Sequence, residues 1–192
     1  SREWVQEIKD KMPELPQAKR ERYMSLGLSE YDASVIVEQM GLALFFDEVL
    51  KLGASPKIAV NFIMGEIAAY LKEEKLEITD TKLTPENLVE LISLIEKNTI
   101  SNNIGKQIII DMMKDGTKAS KIVEDRGLSQ ISDTGAIKEI VQKVIDSNPN
   151  QVNAYKNGKV QLLGFFVGQV MKETKGRANP KAVNEILKEL LG

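Results

Sequence analysis

The segment "GKVQLLGFFVGQVMKETKGRANP", Gly158 to Pro180, has the pattern of one amphipathic helix that ends at a Gly-Arg-Ala-Asn-Pro turn. At about 100° of rotation per residue, its apolar side chains share one broad face that should be buried. These side chains are Val160, Leu162, Leu163, Phe166, Val167, Val170 and Met171. Phe165 falls at the edge of this face, where an aromatic ring is more often partly buried than a platform for stacking.

The opposite side of this helix carries Gly164 and Gly168. A glycine inside a helix costs about 1 kcal/mol relative to alanine, so two on one stripe need a reason. Close packing against another helix is one reason. The other is an open helix surface that a phosphate backbone can approach. Gln161, Lys172 and Lys175 fall on the same stripe, and lysines supply the charge that dominates nucleic-acid affinity, which favours the open surface.

The turn after this helix is expected to extend the basic surface. Gly176 is predicted to be the left-handed residue that ends the helix, with Arg177 projecting from the turn. Asn179 and Pro180 form a start signal for the last helix. The first N–H groups of that helix are expected to add an anion site.

Charge is distributed unevenly along the chain. Residues 155–181 carry six cations against one anion, a net charge of +5, so the remainder of the −2 chain carries −7. The cations are Lys156, Lys159, Lys172, Lys175, Arg177 and Lys181. A solvated helix face is the ordinary reading of such a run, but a basic patch on an acidic protein also indicates a local anionic partner.

The composition excludes several classes of site. The chain has no cysteine and no histidine, which rules out Cys/His zinc sites, Ser-His-Asp triads and a histidine general base. A carboxylate enzyme around Asp111, Asp115, Glu124 and Asp125 is an alternative, but no paired spacing singles these residues out. We therefore predict no catalytic and no metal-binding residue. Without an apolar run of roughly 20 residues or a signal peptide, we predict a cytoplasmic protein that does not bind membranes.

Helix start signals recur along the whole chain, at Ser29, Ser55-Pro56, Thr84-Pro85 and Asn148-Pro149. The apolar run of residues 108–110 is compatible with a strand, but its flanks are helical and no partner strand is evident. We predict an all-α fold of two helical bundles, a larger one followed by a small tail bundle. The division is expected at residues 127–133, with no strand longer than a bridge.

Longer stretches carry a family resemblance. The segment "GKVQLLGFFVGQVMKETKGRANPKAVNEIL" resembles the C-terminal signature of the B subunit of the tRNA-dependent amidotransferase (GatB), whose tail domain is shared with the YqeY family. "EWVQEIKDKMPELPQAKRERY" is similar to the segment where that subunit leaves its catalytic domain. "GLSEYDASVI" and "LTPENLVELISLIEKNTIS" also fit its helical region. The resemblance covers essentially the whole chain.

The resemblance implies a division into three parts. Residues 1–42 would be connector helices leaving the catalytic domain, 43–128 the helical domain, and 129–192 a YqeY-like tail domain. Because the chain starts at Ser1, without Met and inside helix-like sequence, we expect it to be a piece of a longer protein.

The resemblance also implies a function. The amidotransferase is an ATP-dependent ligase that converts Glu-tRNA(Gln) or Asp-tRNA(Asn) to Gln-tRNA(Gln) or Asn-tRNA(Asn). Its glutaminase (A) subunit hydrolyses glutamine, and ATP and magnesium act in the N-terminal domain of the B subunit. The present region would bind tRNA, and the full-length protein would bind the A and C subunits. The region would have no catalytic centre or cofactor of its own and no DNA partner. The residues expected to contact tRNA are Lys159, Gln161, Gly164, Gly168, Lys172, Lys175 and Arg177.

Two alternatives remain open. The first is the tail of the E subunit, the archaeal counterpart of the B subunit, which has a similar tail domain. A helical protein-interaction module could instead use the Gly164 and Gly168 face to dock a partner helix. Salt dependence separates docking from RNA binding, because phosphate contacts weaken steeply as salt rises.

Overall fold

The computed structural model describes residues 14–192 of the chain. The predicted amphipathic start around Trp4, Val5 and Ile8 lies outside these residues. Across residues 14–192 the regular structure is helical, apart from one isolated parallel bridge between Ile131 and Ala178. The predicted all-α fold is therefore confirmed. Within the same described range, no helix is both long enough and apolar enough to cross a bilayer.

The helices follow the predicted start signals closely. In chain order they are α1 Pro16–Ser25, α2 Glu30–Glu38, α3 Met40–Lys51, α4 Pro56–Phe62, a π-helical turn Ile63–Ile67, α5 Ala68–Glu74 and a short 3-10 turn Ile78–Asp80. They continue as α6 Pro85–Glu96, α7 Asn102–Asp115, α8 Ala119–Arg126, α9 Thr134–Asp146, α10 Pro149–Lys156, α11 Leu162–Glu173 and α12 Pro180–Leu191. The apolar run at residues 108–110 lies inside α7 and is helical.

The chain forms two compact units. The first holds residues 14–92 of the described chain together with Met112–Gly116, and the second holds residues 93–111 together with Thr117–Gly192. The expected division at residues 127–133 does not separate these units, because residues 93–111 belong with the C-terminal helices. The family domain limits given above, at residues 42 and 128, stay a prediction.

The first unit is built on buried faces of α1 to α7. Tyr23 and Phe46 meet edge to face, with ring centroids 5.0 Å apart. The buried side chains of this unit include Ile36, Leu42, Val49, Phe62, Ile63, Ile67, Leu88, Leu91, Ile92, Met112 and Met113. Backbone pairing adds to this packing, since the Lys82 N–H donates to the Met113 carbonyl at 2.9 Å.

A cluster of charged groups ties α1 to α3. The Asp47 carboxylate accepts hydrogen bonds from Lys19 Nζ at 2.7 Å, Arg22 Nη2 at 2.9 Å and Tyr23 Oη at 2.9 Å. Arg22 also makes a two-bond pair with Glu14, at 2.9 and 2.6 Å. Partial burial would raise the pKa of Asp47, but the hydrogen bonds from Lys19, Arg22 and Tyr23 outweigh it and hold that pKa below its ordinary value.

Replacing Asp47 by Asn should destabilise the chain by about 2 kcal/mol, because hydrogen bonds to a charged group contribute roughly 1.5–3 kcal/mol. A carboxyl group with a lowered pKa stabilises the folded state above its unfolded pKa and loses this effect as pH falls through the folded pKa. The stability difference between wild type and Asp47→Asn should therefore shrink in acid. Urea unfolding at neutral and acidic pH measures it.

The control for this experiment is Glu48→Gln, because Glu48 pairs with Lys51 on the exposed face of α3. Exposed pairs of this kind contribute little to stability. Equal losses of unfolding free energy in the Asp47 and Glu48 variants would contradict a structural role for the cluster.

The core of the second unit lies between α9, α11 and α12. Its buried side chains are Ile137, Val141, Val144, Phe166, Val170, Ala178, Val183, Ile186, Leu187 and Leu191. Their spacing of three or four residues places each set on one helix face. The Asp133 carboxylate starts α9 by accepting the Gly135 N–H at 2.8 Å, as an N-cap does.

Residues 127–133 are pinned within the second unit. The Gln130 N–H donates to the Thr99 carbonyl at 2.6 Å, and the Ile131 N–H donates to the Arg177 carbonyl at 2.7 Å. The Asn179 N–H returns a bond to the Ile131 carbonyl at 3.1 Å. These bonds hold the segment against the turn after α11, and so the segment joins parts of one compact unit.

Candidate nucleic-acid interface

Helix α11 begins later than predicted. Gly158, at φ 96°, ends α10 instead: its N–H donates to the Tyr155 carbonyl at 3.0 Å, and the Lys159 N–H donates to the Ala154 carbonyl at 3.1 Å. This pair of bonds is a Schellman ending. Val160 therefore lies in the following turn, where it is 66% exposed and does not join the predicted core face.

The two glycines of α11 lie on its open side. Gly164 and Gly168 are exposed, and a Cβ built at either position would meet no heavy atom within 4 Å. Close helix packing inside the described part of this chain is therefore not the reason for these glycines. On the opposite face Phe166 and Val170 are fully buried. Phe165 is half-buried against the Phe166 ring at 5.4 Å, as expected for an aromatic ring at the edge of the core.

Polar and basic side chains flank the glycines. Gln161 lies directly before the first residue of α11 and is exposed, and Lys172 is exposed in its last turn. Residues three and four apart on a helix are neighbours, so Gln161, Gly164, Gly168 and Lys172 form one continuous stripe. We call these four residues the glycine stripe. Lys159, in the turn before the helix, is exposed as well.

The left-handed ending of α11 falls on Lys175, one residue earlier than predicted. The Gly176 N–H donates to the Met171 carbonyl at 2.7 Å, and the Lys175 N–H donates to the Lys172 carbonyl at 3.1 Å. These bonds place Lys175 at the position that glycine usually takes, with φ 52°, and Gly176 follows at φ 77°. The left-handed conformation costs a residue with a side chain about 1 kcal/mol. A lysine here interacts favourably with the carbonyl end of the helix, which offsets part of that cost.

We expect Lys175→Gly to raise the stability of the second unit by about 0.5–1 kcal/mol, because glycine adopts positive φ without strain. The same change removes one exposed cation from the end of the glycine stripe. The unfolding temperature should therefore rise, while affinity for a nucleic acid, the candidate ligand of this surface, should fall. Lys175→Ala is the matched control, since it removes the charge but keeps the strain. Loss of stability in the glycine variant would contradict the strained ending.

Arg177 is held by the chain itself. Its side chain is half-buried, and its Nε donates to the Ser129 carbonyl at 3.1 Å. This bond orients the guanidinium group, which has further N–H donors besides Nε. Arg177 follows the turn that ends α11, and this bond ties its side chain to Ser129.

The predicted anion site at the start of the last helix is wrong. The Asn179 Oδ1 atom accepts the N–H groups of Lys181 at 3.0 Å and Ala182 at 3.3 Å. The Asn179 carbonyl accepts the N–H of Val183 at 3.0 Å. These N–H groups are used by the N-cap, as they are in many helices, and do not point at a ligand.

Amide side chains form a further feature that sequence reasoning missed. Asn102, Asn103, Gln130 and Asn179 line one groove of the second unit. The paired asparagines at the start of α7 are the only local signal in the sequence. Because this pair, Gln130 and Asn179 are far apart along the chain, their proximity could not be read from spacing.

Residues 44–191 match the family model described as "GatB domain". The chain belongs to this family. It is 46% identical over 190 residues to the B subunit of the aspartyl/glutamyl-tRNA(Asn/Gln) amidotransferase of Clostridium botulinum (strain Okra / Type B1), covering 98% of this chain and 40% of that protein. The resemblance recognised in the sequence is thereby confirmed.

Relatives from other lineages give the same result. The chain is 48% identical over 189 residues to the B subunit of the chloroplastic/mitochondrial glutamyl-tRNA(Gln) amidotransferase of Oryza sativa subsp. japonica, with 98% of this chain and 35% of the relative covered. It is 47% identical to the corresponding B subunit of Prochlorococcus marinus (strain AS9601), with 98% and 38% covered. The chain thus spans about two-fifths of the length of these relatives.

Proposed function

We propose that this chain is the tRNA-binding C-terminal region of the B subunit of the glutamine-dependent amidotransferase that forms Gln-tRNA(Gln) and Asn-tRNA(Asn). Its relatives carry the name of that subunit. The observation that supports RNA binding here is the open surface at Gly164 and Gly168, with exposed lysines at its end. The tRNA-contacting residues would be Lys159, Gln161, Gly164, Gly168, Lys172, Lys175 and Arg177.

The chemistry of the glycine stripe favours a phosphate backbone over a partner helix. A docking helix needs apolar side chains to bury, and the stripe offers hydrogen, an amide and an ammonium group instead. Without a Cβ, the helix backbone at Gly164 and Gly168 can come close to a bulky anion. Lys172 and Lys175 then neutralise phosphates, which is the main source of nucleic-acid affinity.

The remaining steps of amide formation would belong to other parts of the enzyme. We propose that ATP and magnesium are bound by the preceding domain of the B subunit, and that the A subunit supplies ammonia from glutamine. The full-length protein would bind the A and C subunits. The present region would contribute no catalytic residue, and we propose that it works in the cytoplasm. The relatives reported above are named as B subunits, which favours this assignment over the archaeal E subunit.

A gel-shift titration of the chain with total tRNA tests this function. With four cations on phosphates, the slope of log affinity against log salt should be about −3, which is about a 60-fold loss between about 50 and 200 mM salt. Lys138→Ala is the control, because Lys138 pairs with Glu189 at 2.8 Å away from the stripe and should leave the slope unchanged. Absence of binding, or affinity that does not change with salt, would contradict the proposal.

A further inference from the structure

A groove in the second unit is lined by amides above an apolar floor. Its polar lining includes Asn102, Asn103, Gln130 and Asn179, and its floor includes Ile100 and Met171. No carboxylate lines it among the described residues. We call it the amide groove. Such a lining offers both donors and acceptors without a fixed negative charge, which suits a neutral ligand with a mixed hydrogen-bonding edge.

Gln130 is the most informative group in the amide groove. Its backbone is fixed by the 2.6 Å bond from its N–H to the Thr99 carbonyl. Its Oε1 atom is buried and accepts no hydrogen bond from the described chain. A buried acceptor without a donor destabilises a folded protein, and a molecule in the groove that donates a hydrogen bond would satisfy this one.

The other amides add to the polar lining of the groove. Asn102 and Asn103 are exposed at the start of α7. Asn179 uses its Oδ1 atom as the cap of α12, which leaves its Nδ2 group as a donor. Ile100 is buried and Met171 is half-buried, so a flat ring can lie on an apolar surface with its edge towards the amides. Unstacked nucleobases are bound in this way, between apolar contacts and side chains that pair with their edges.

The amide groove lies at the end of the glycine stripe. Met171 of the groove directly precedes Lys172 of the stripe in α11. Ser101, next to Asn102, donates its hydroxyl hydrogen to the Gly176 carbonyl at 3.2 Å, which holds the turn after α11 beside the start of α7. Lys181 lies at the edge of the groove and adds a positive charge. A phosphate backbone that follows the stripe would therefore bring its bases to this groove.

We propose that the amide groove binds one unpaired nucleobase of the RNA that crosses the glycine stripe, and this proposal rests on the proposed function. Arg177, Lys172 and Lys175 would hold phosphates, and the amides would hold the base. The positive flanks favour RNA over a peptide, whose backbone amides would fit the groove but would gain nothing from the lysines.

Nuclear magnetic resonance of the ¹⁵N-labelled full chain tests the groove directly. We expect nucleoside 5′-monophosphates at millimolar concentration to shift the side-chain amide signals of Asn102, Asn103 and Gln130. Ribose 5-phosphate and inorganic phosphate should not shift them. Equal shifts with inorganic phosphate would make the groove an anion site and overturn the proposal. Absence of shifts with every nucleotide, or shifts with a neutral tripeptide only, would overturn it as well.

Gln130→Leu supplies the matching variant, because leucine keeps the volume and removes the buried acceptor. We expect tRNA affinity to fall about tenfold, as for the loss of one base contact, with an unchanged salt slope. Gln107→Leu, an exposed glutamine on α7, is the control and should leave affinity unchanged. If Gln130→Leu does not fold, Asn103→Ala at the exposed rim is expected to show a similar loss.

The outcomes separate the two proposals. Tight, salt-dependent tRNA binding that is insensitive to both Gln130→Leu and Asn103→Ala would overturn the nucleobase site and leave the proposed function intact. Failure of the wild-type chain to bind tRNA at low salt would count against the proposed function itself.

Discussion

Gly168→Gln is expected to weaken tRNA binding at least about tenfold while the chain stays folded, through the loss of phosphate contacts that a side chain there would obstruct. The fold should tolerate the change because a Cβ at Gly168 meets no heavy atom within 4 Å. The longer side chain would stand between Gly164 and Lys172, on the path proposed for the phosphate backbone. A gel-shift titration with circular dichroism on the same samples measures both effects.

Gly168→Ala is the matched control for this experiment. It adds only one methyl group to an open position and should raise helix stability by about 1 kcal/mol without loss of affinity. Lys172→Ala and Lys175→Ala should each lower tRNA affinity nearly uniformly across tRNAs and reduce the salt slope by about one unit. If Gly168→Gln unfolds the second unit while both lysine variants bind tRNA as wild type does, the glycines serve a helix interface instead.

Phe166→Ala is expected to destabilise the second unit by about 3–5 kcal/mol, the largest effect on stability predicted for this chain. Phe166 is fully buried, in the core cluster to which Val170, Val183 and Leu187 also belong. Truncation would remove apolar contacts from three helices at once and leave a cavity that the surrounding structure fills only in part. Urea unfolding followed by circular dichroism should show one transition moving to much lower denaturant.

The neighbouring ring provides the control for the core variant. Phe165 is half-buried, so Phe165→Ala should cost about 1–2 kcal/mol, in proportion to the apolar area that it buries. Equal destabilisation by the two variants would contradict the orientation of α11.

Features that depend on a few consecutive residues were predictable from sequence. The exposed position of Gly164 and Gly168 follows from about 100° of rotation per residue and the apolar side chains opposite. The start of α12 follows from Asn179 and Pro180, a pairing that local backbone geometry favours in any protein. The family was recognisable for a related reason, since long contiguous stretches carry its pattern.

Features that depend on hydrogen bonds at helix ends were predicted less well. Lys175 takes the left-handed position, although Gly176 is the better residue for it, because the last bond of α11 closes one residue earlier. The N–H groups at the start of α12 were expected to be free, but the Asn179 side chain already accepts two of them. In both cases several pairings are compatible with the sequence, and the packing of α11 and α12 selects one.

The sequence by itself determined the helical class, the buried face of α11 and its open glycines, because each depends on periodicity over a few turns. Only the tertiary structure decided that Asp47 accepts hydrogen bonds from Lys19, Arg22 and Tyr23. It also decided that Gln130 lines one groove together with Asn102, Asn103 and Asn179. Asp47 lies 24 to 28 residues from its three partners, and residues 102–103, 130 and 179 are also far apart along the chain. Their proximity follows from how the apolar faces of different helices pack together, which no local pattern specifies.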